Sequence, residues 1–217
     1  YLLTGNSQRL VRKIRLVIDH YPKESLDCLM NILGTHDTPR IITILGRSKV
    51  CETKEESEFE KLSPSEYKKG IEGLKIATLI QYTLYGVPSV YYGDEVGLEG
   101  NMDPFNRKCY PWGKEDKNLI AWYKKLAKIR SNPLFKQGET KLLTHDNGMI
   151  VYERTDGEEN IVVAINLGEE EYLLKLDAPC YDLLTNNLLQ GKVKLSKNDY
   201  YVLYKHNIIF YQKKQSK

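Results

Sequence analysis

Leu10, Ile14, Val17 and Tyr21 recur at helical spacing, and Val11 and Ile18 widen the same face. This predicts an amphipathic helix over about residues 8–20, which Pro22 ends. From Leu26 to Leu33 the chain is short, apolar and nearly continuous, the pattern of a strand covered on both faces in a parallel sheet. Residues 47–62 are charged and poorly periodic, which predicts a solvated and mobile excursion. Ser63-Pro64-Ser65-Glu66 has the form of a capping box, with Ser63 as N-cap, Pro64 at the first helical position and Glu66 reaching back. The helix it opens runs through Tyr82 on a stripe of Ile71, Leu74 and Thr78 flanked by Ala77, Ile80 and Leu84. Gly86 and Pro88 end it before a strand around residues 89–92. Leu119, Trp122, Tyr123, Leu126 and Ile129 mark a third helix, closed by Asn132-Pro133.

This alternation of helix and strand predicts parallel strands joined by right-handed crossovers. Beyond Pro133 the texture changes to short runs at 141–144, 149–154, 161–166, 172–176 and 200–204. Asn147-Gly148, Asp156-Gly157 and Asn166-Leu167-Gly168 supply turns between them, so residues 134–217 read as an antiparallel β-sandwich. The fold class is therefore α/β over residues 1–133 followed by all-β, with a frayed Lys-rich end at 213–217.

Composition narrows the function classes. With 217 residues the chain can bury a proper core, but a closed barrel of eight strand-helix units needs roughly 250 on its own. Thirty-two basic residues against 29 acidic ones leave +3, spread along the chain, so nucleic acid is not expected as a partner. Apolar runs fall short of the roughly 20 residues a membrane span requires, and no signal-peptide series opens the chain. It starts at Tyr1 rather than Met, so the natural N-terminus is expected to lie upstream. Cys28, Cys51, Cys109 and Cys180 lack the close pairing of a zinc or dithiol site. Thiols in a reducing compartment, with Cys28 as a small buried hydrophobe, make the cytoplasm the expected location.

Candidate chemistry concentrates in Asn31-Ile32-Leu33-Gly34-Thr35-His36-Asp37-Thr38-Pro39-Arg40, where the apolar run gives way to packed polar groups. Barrels of parallel strands carry their active sites at the carboxyl ends of the strands, so His36 and Asp37 are candidates for substrate contact. The plainer alternative has Asp37 capping a helix that begins at Pro39.

That decapeptide resembles the last conserved motif of the α-amylase superfamily of glycoside hydrolases, in particular its neopullulanase and cyclomaltodextrinase branch. Tyr85-Gly86-Val87-Pro88-Ser89-Val90-Tyr91-Tyr92-Gly93-Asp94-Glu95-Val96-Gly97 is similar to the family's eighth barrel strand and its loop. Asp103-Pro104-Phe105-Asn106-Arg107, followed by Trp112, is similar to the segment after it. The resemblance implies that residues 1–133 are the closing part of a (β/α)8 TIM barrel and that residues 134–217 are the β-domain behind it.

Retaining glycoside hydrolysis needs a nucleophilic carboxylate and a protonated carboxyl group about 5 to 5.5 Å apart. The resemblance puts both on strands upstream of Tyr1, so this chain alone is expected to be inactive. The parent protein is expected to be a retaining α-glucan hydrolase acting on starch, maltodextrin, cyclodextrin or pullulan-type substrates. Asp37 maps onto the family's third acid, which holds sugar hydroxyls where the ring distorts and stabilises the oxocarbenium-like transition state. His36 is expected to donate to a sugar hydroxyl beside it, or else to bond a neighbouring backbone group. Arg40, a further candidate substrate-binding residue, would either pair with Asp37 and fix its ionised form or make a surface ion pair.

Asp103 and Arg107 would line outer sugar subsites, or bond each other and shape the loop. Thr35 stands where the family often has Asn or Ser. Asp94 and Glu95 are adjacent acids that point opposite ways on an extended segment, so structural hydrogen bonding is expected of both. Tyr91 and Tyr92 are expected in the core, whereas Tyr110 and Trp112 are a candidate platform for a sugar face. No EF-hand spacing lies between Asp94 and Asp103, and neither metal nor cofactor is expected. The expected partners are an α-glucan oligosaccharide and a complementary upstream barrel half, or an oligomer, to cover strand edges. The alternatives are a non-catalytic α-glucan-binding or interaction module and a purely structural fragment.

Overall fold

The computed structural model describes residues 2, 6–47, 53–144, 148–204 and 208–210. Cys51, Asn147 of one expected turn and the Lys-rich end lie outside the described residues. In chain order the elements are α1 (Ser7–His20), α2 (Lys23–Cys28), β1 (Met30–Ile32), α3 (Ile41–Gly46), α4 (Lys54–Phe59), α5 (Pro64–Thr83) and β2 (Val87–Ser89). A single 3-10 turn at Asp94–Val96 precedes α6 (Lys117–Arg130) and α7 (Leu134–Gln137). Then come β3 (Glu139–Thr144), β4 (Met149–Thr155), β5 (Asn160–Asn166), β6 (Tyr172–Asp182), β7 (Leu188–Leu195), β8 (Tyr200–Tyr204) and β9 (Ile208–Phe210). Among the described residues no helix is long and apolar enough to cross a membrane.

The chain forms two compact units, one of Met30–Tyr82 with Gly86–Ala127, the other of Tyr1–Leu29, Thr83–Tyr85 and Lys128–Lys217. In the first, β1 and β2 pair in parallel with Met30 opposite Val87 and Ile32 opposite Ser89. Gln81 of α5 pins both strands, its Nε2 donating to Asn31 O at 2.8 Å and to Ser89 O at 2.9 Å. The expected capping box opens α5: Ser63 N–H donates to Glu66 Oε2 at 3.0 Å, and Glu66 N–H donates to Ser63 Oγ at 3.3 Å. That satisfies two of the N–H groups a helix start leaves without intrahelical partners.

Four local expectations are corrected. The run from Leu26 to Leu33 is strand only over Met30–Ile32, because residues 23–28 form α2. Lys23 and Asp27 pair one turn apart, and Ser25 and Leu26 return their N–H groups to Pro22 O. A short apolar run does not by itself separate strand from helix. Cys28 consequently sits exposed at a helix end rather than buried in a strand. The charged excursion contains α4, whose N-cap Thr53 accepts the Glu56 N–H at 3.2 Å. The Thr53…Glu56 spacing was a readable cap signal. The second strand covers Val87–Ser89, so Tyr91 and Tyr92 lie in the turn beyond it, where Tyr91 O accepts the Asp94 N–H at 3.1 Å.

In the second unit one seven-stranded antiparallel sheet runs β3-β4-β5-β8-β6-β7, with β9 on β6. Met149 and Val151 of β4, Val162 and Ala164 of β5, Leu174 and Leu176 of β6, and Val193 and Leu195 of β7 share one core. β4, next to one edge of the sheet, and β7, at the other edge, both contribute, so the sheet curls over itself to bring its halves face to face as in a sandwich. On the opposite face of β4, Ile150 and Tyr152 are also fully buried, and α1 and α7 pack against this strand. Burial on both faces explains why β4 and β5 read as continuous apolar runs rather than alternating ones. Edge strand β7 alternates weakly and is mostly exposed, so its sequence gave no strand signal.

Candidate functional site

His36 and Asp37 lie in the loop that leaves the carboxyl end of β1. Thr35 and Thr38 fold this loop into a turn: Asp37 N–H donates to Thr35 Oγ1 at 3.2 Å, and Thr35 N–H donates to Thr38 Oγ1 at 3.3 Å. Hydroxyls that accept nearby backbone N–H groups are a common way to hold such turns. His36 Nε2 lies 3.1 Å from Asp37 Oδ1, and the two side chains are 65% and 73% exposed. The imidazole and carboxylate thus stand side by side with most of their surface open to a ligand. Asp37 does not cap a helix, since α3 begins at Ile41 with Arg40 as its N-cap.

Arg40 departs from both roles expected of it. Its side chain is fully buried and pairs with Asp94, Nη1 to Oδ1 at 3.3 Å, rather than with Asp37. Nε donates to Asn106 O at 2.7 Å, and Nη1 also donates to Tyr92 O. The guanidinium lies over the Tyr91 and Tyr92 rings, 4.3 and 4.6 Å from their centroids. A flat, weakly hydrated cation against two aromatic rings suits this burial, where an ammonium would lose more hydration. With no exposed surface Arg40 cannot touch a sugar in this arrangement, and it acts as a bolt between three loops.

Asp94 accordingly serves the structural role expected of it. Burial pushes its carboxyl up to about 6, against the opposing pull of Arg40. Gly34 permits the approach, because a Cβ there would fall 2.8 Å from Asp94 Oδ2. Tyr91 and Tyr92 are not core residues: Tyr92 is exposed, its hydroxyl donating to Lys108 O at 2.9 Å. The apolar run continues past Ser89, where the ladder with β1 already stops, so the apolar pattern alone extends the strand too far.

Asp103 and Arg107 form an ion pair across one turn of the following loop, each about half exposed. Tyr110 and Trp112 meet with ring centroids 4.5 Å apart and planes tilted by 49°, leaving Trp112 81% exposed. Asn106 is the residue that sequence reasoning passed over. It is fully buried, and its Nδ2 donates to both His36 O and Thr38 O at 2.7 Å. Its signal was its place in the Asp103–Arg107 segment, but nothing in the local pattern linked it to a loop some 70 positions away. Among the described residues no group of three or more His, Cys, Asp or Glu side chains is placed to hold a metal ion.

Residues 138–206 match the α-amylase C-terminal domain family. An amylopullulanase of Thermoanaerobacter thermohydrosulfuricus is 33% identical over 150 residues, covering 69% of this chain and 10% of that protein. A cyclomaltodextrinase of Geobacillus thermopakistaniensis is 30% identical over 181 residues, covering 81% of this chain and 27% of that protein. The chain therefore spans well under a third of the length of these relatives. Among solved structures, the α-amylase of Geobacillus thermoleovorans complexed with acarbose superposes with a TM-score of 0.69 at 21% identity, over 94% of this chain and 46% of that one.

Proposed function

Because the chain belongs to the α-amylase family and corresponds to the C-terminal part of enzymes related to cyclomaltodextrinase and amylopullulanase, we propose that it supplies one wall of a glucan site. Its parent protein hydrolyses α-glucans with retention, and Asp37 is the carboxylate that grips the sugar beside the scissile bond. The observation that carries this reading is the exposed His36–Asp37 pair at the carboxyl end of a parallel strand. An ionised carboxylate accepting from vicinal hydroxyls, with an imidazole beside it, favours the flattened, positively charged ring over the ground state. His36 donates to the neighbouring hydroxyl, and Asp103 and Arg107 contact sugars further out.

The covalent chemistry belongs to two further carboxyl groups on barrel strands outside this chain. Met30, Ile32 and Val87 of the two-stranded sheet are 63%, 50% and 49% exposed, an apolar face suited to those strands. The test compares the 217-residue chain with the longest natural polypeptide that carries it, on maltodextrin, cyclodextrin and pullulan. Turnover is expected only from the longer protein and is lost with Asp37→Ala. Robust turnover by the short chain would overturn the reading.

The Tyr110–Trp112 pair, with Trp112 exposed, favours a second reading, a glucan-binding module without bond cleavage, since a tilted aromatic pair accepts a sugar face. Under it, maltooligosaccharide binding depends on Trp112 and is indifferent to Asp37→Asn.

A further inference from the structure

We infer that Asn106 is a positioning residue for Asp37, an amide clamp that straddles it. The inference rests on the reading of Asp37 as the sugar-gripping carboxylate. A primary amide carries two N–H donors, and Asn106 spends both on His36 O and Thr38 O, the carbonyls on either side of Asp37. The bond to His36 O fixes the peptide plane that leads into Asp37, and the bond to Thr38 O anchors the Thr38–Pro39 peptide just beyond it, so the backbone is held on both sides of Asp37 and the direction of its Cα–Cβ bond is restrained. This matters because, among the described residues, the Asp37 carboxylate meets only the exposed His36 ring. Its aim is therefore set by its backbone.

The clamp is itself held. Asn106 O accepts Arg40 Nε at 2.7 Å, and Arg40 N–H donates to Gly100 O at 2.9 Å. A Cβ at Gly100 would stand 2.8 Å from Asn106 Cα, so this close passage of backbones needs glycine. Asn106 Oδ1, shielded from solvent, has no hydrogen-bond partner among the described residues. A buried acceptor left without a donor is costly, which marks the residue as placed for its two N–H groups. Asp has no amide N–H, and an ionised carboxylate would face two carbonyl oxygens.

The test is a double-mutant cycle on acarbose affinity, measured by calorimetry in the longest natural polypeptide carrying this chain, with Asn106→Asp and Asp37→Asn alone and together. Asn106→Asp is expected to weaken binding about tenfold when Asp37 is present, the worth of two hydrogen bonds. With Asp37→Asn already in place, the further loss is expected to shrink to about twofold or less. An equal loss in both backgrounds, or none in either, overturns the inference and leaves the reading of Asp37 standing. No loss from Asp37→Asn itself overturns that reading, and the clamp with it. Asn106→Ala, followed by thermal melting, is the second variant and is expected to melt cooperatively with the same coupled loss. If both Asn106 variants lose cooperative melting, the residue holds the fold rather than the site, and the inference fails.

Discussion

Arg40 and Asp94 meet with Nη1 3.3 Å from Oδ1 and both side chains shut away from solvent. A pair so placed contributes little over well-packed apolar residues, yet removing one partner strands the other as a buried charge or polar group. Arg40→Leu is therefore expected to lower stability by about 3 to 5 kcal/mol, and Arg40→Leu with Asp94→Leu to recover part of that loss. Denaturant unfolding of the two variants checks it. A loss under about 1 kcal/mol for Arg40→Leu would mean that the three loops do not depend on this bolt.

Asp94 also gives the protein a pH dependence of definite sign. Its carboxyl is pushed up by burial to about 6 from an ordinary 3.8, so between these values the folded state binds more protons than the unfolded one. The stability contributed by protonated Asp94 is thus fully present below about pH 3.8 and is lost as pH rises through about 6. Asp94→Asn, which stays neutral, is expected to gain on the wild type as pH is raised from 4 to 7. Melting temperatures of both proteins across that range decide it, and a constant difference would count against the shift.

Close packing of α3 on α5 depends on two glycines. A Cβ at Gly70 would stand 2.6 Å from Ile42 O, and one at Gly46 would stand 2.3 Å from Glu66 O. Alanine in the middle of a helix ordinarily stabilises by about 1 kcal/mol over glycine. Here overpacking opposes that gain, so Gly70→Ala is expected to destabilise by about 1 to 3 kcal/mol. A rise in melting temperature would show that the helices can separate at no cost.

The two halves of the fold were legible in unequal ways. Ser63 and Glu66 form the expected reciprocal cap, and α5 and α6 follow their apolar stripes, because local pattern and local structure coincide there. The strand that delivers His36 was placed too early, since Leu26 belongs to α2 and periodicity over so short a run is ambiguous. Asp37 stood out as an ionisable group after an apolar run, and it is exposed where a ligand can reach it. Arg40 and Asn106 were misjudged or missed because their partners, Asp94 and the carbonyls of His36 and Thr38, are far away in sequence. Spacing along the chain carries no information about such contacts.

In the β-unit, Arg154 is the fully buried cation on which the end of α7 rests. Its Nη2 donates to Phe135 O at 3.1 Å and Gly138 O at 2.8 Å, and its Nη1 donates to Thr140 Oγ1. Carbonyls at a helix end carry partial negative charge and lack intrahelical donors, which a planar fork can serve together. Desolvation pulls the guanidinium down to about 10, still leaving it charged at neutral pH. Arg154→Met is expected to cost about 3 kcal/mol, and Arg154→Lys most of that, since an ammonium cannot span these acceptors. Thermal unfolding of both variants checks the order, and full retention of stability in Arg154→Lys would show that charge alone suffices.

Asp37 is the residue on which the proposed chemistry turns. Its carboxylate is free of buried partners and 73% exposed, so replacing it should disturb the fold very little. If it grips sugar hydroxyls most strongly as the ring flattens, Asp37→Asn in the longest natural polypeptide should cut kcat far more than it raises KM. Hydrogen bonds that tighten in the transition state supply several kcal/mol, which sets the expected fall in kcat/KM at about a hundredfold or more. His36→Gln removes a neighbouring donor while sparing the carboxylate, so a fall of about tenfold is expected. Steady-state kinetics on maltodextrin, with melting temperatures to confirm intact folding, separate the possibilities. A rise in KM with kcat unchanged would assign Asp37 to ground-state binding alone and remove it from the catalytic step.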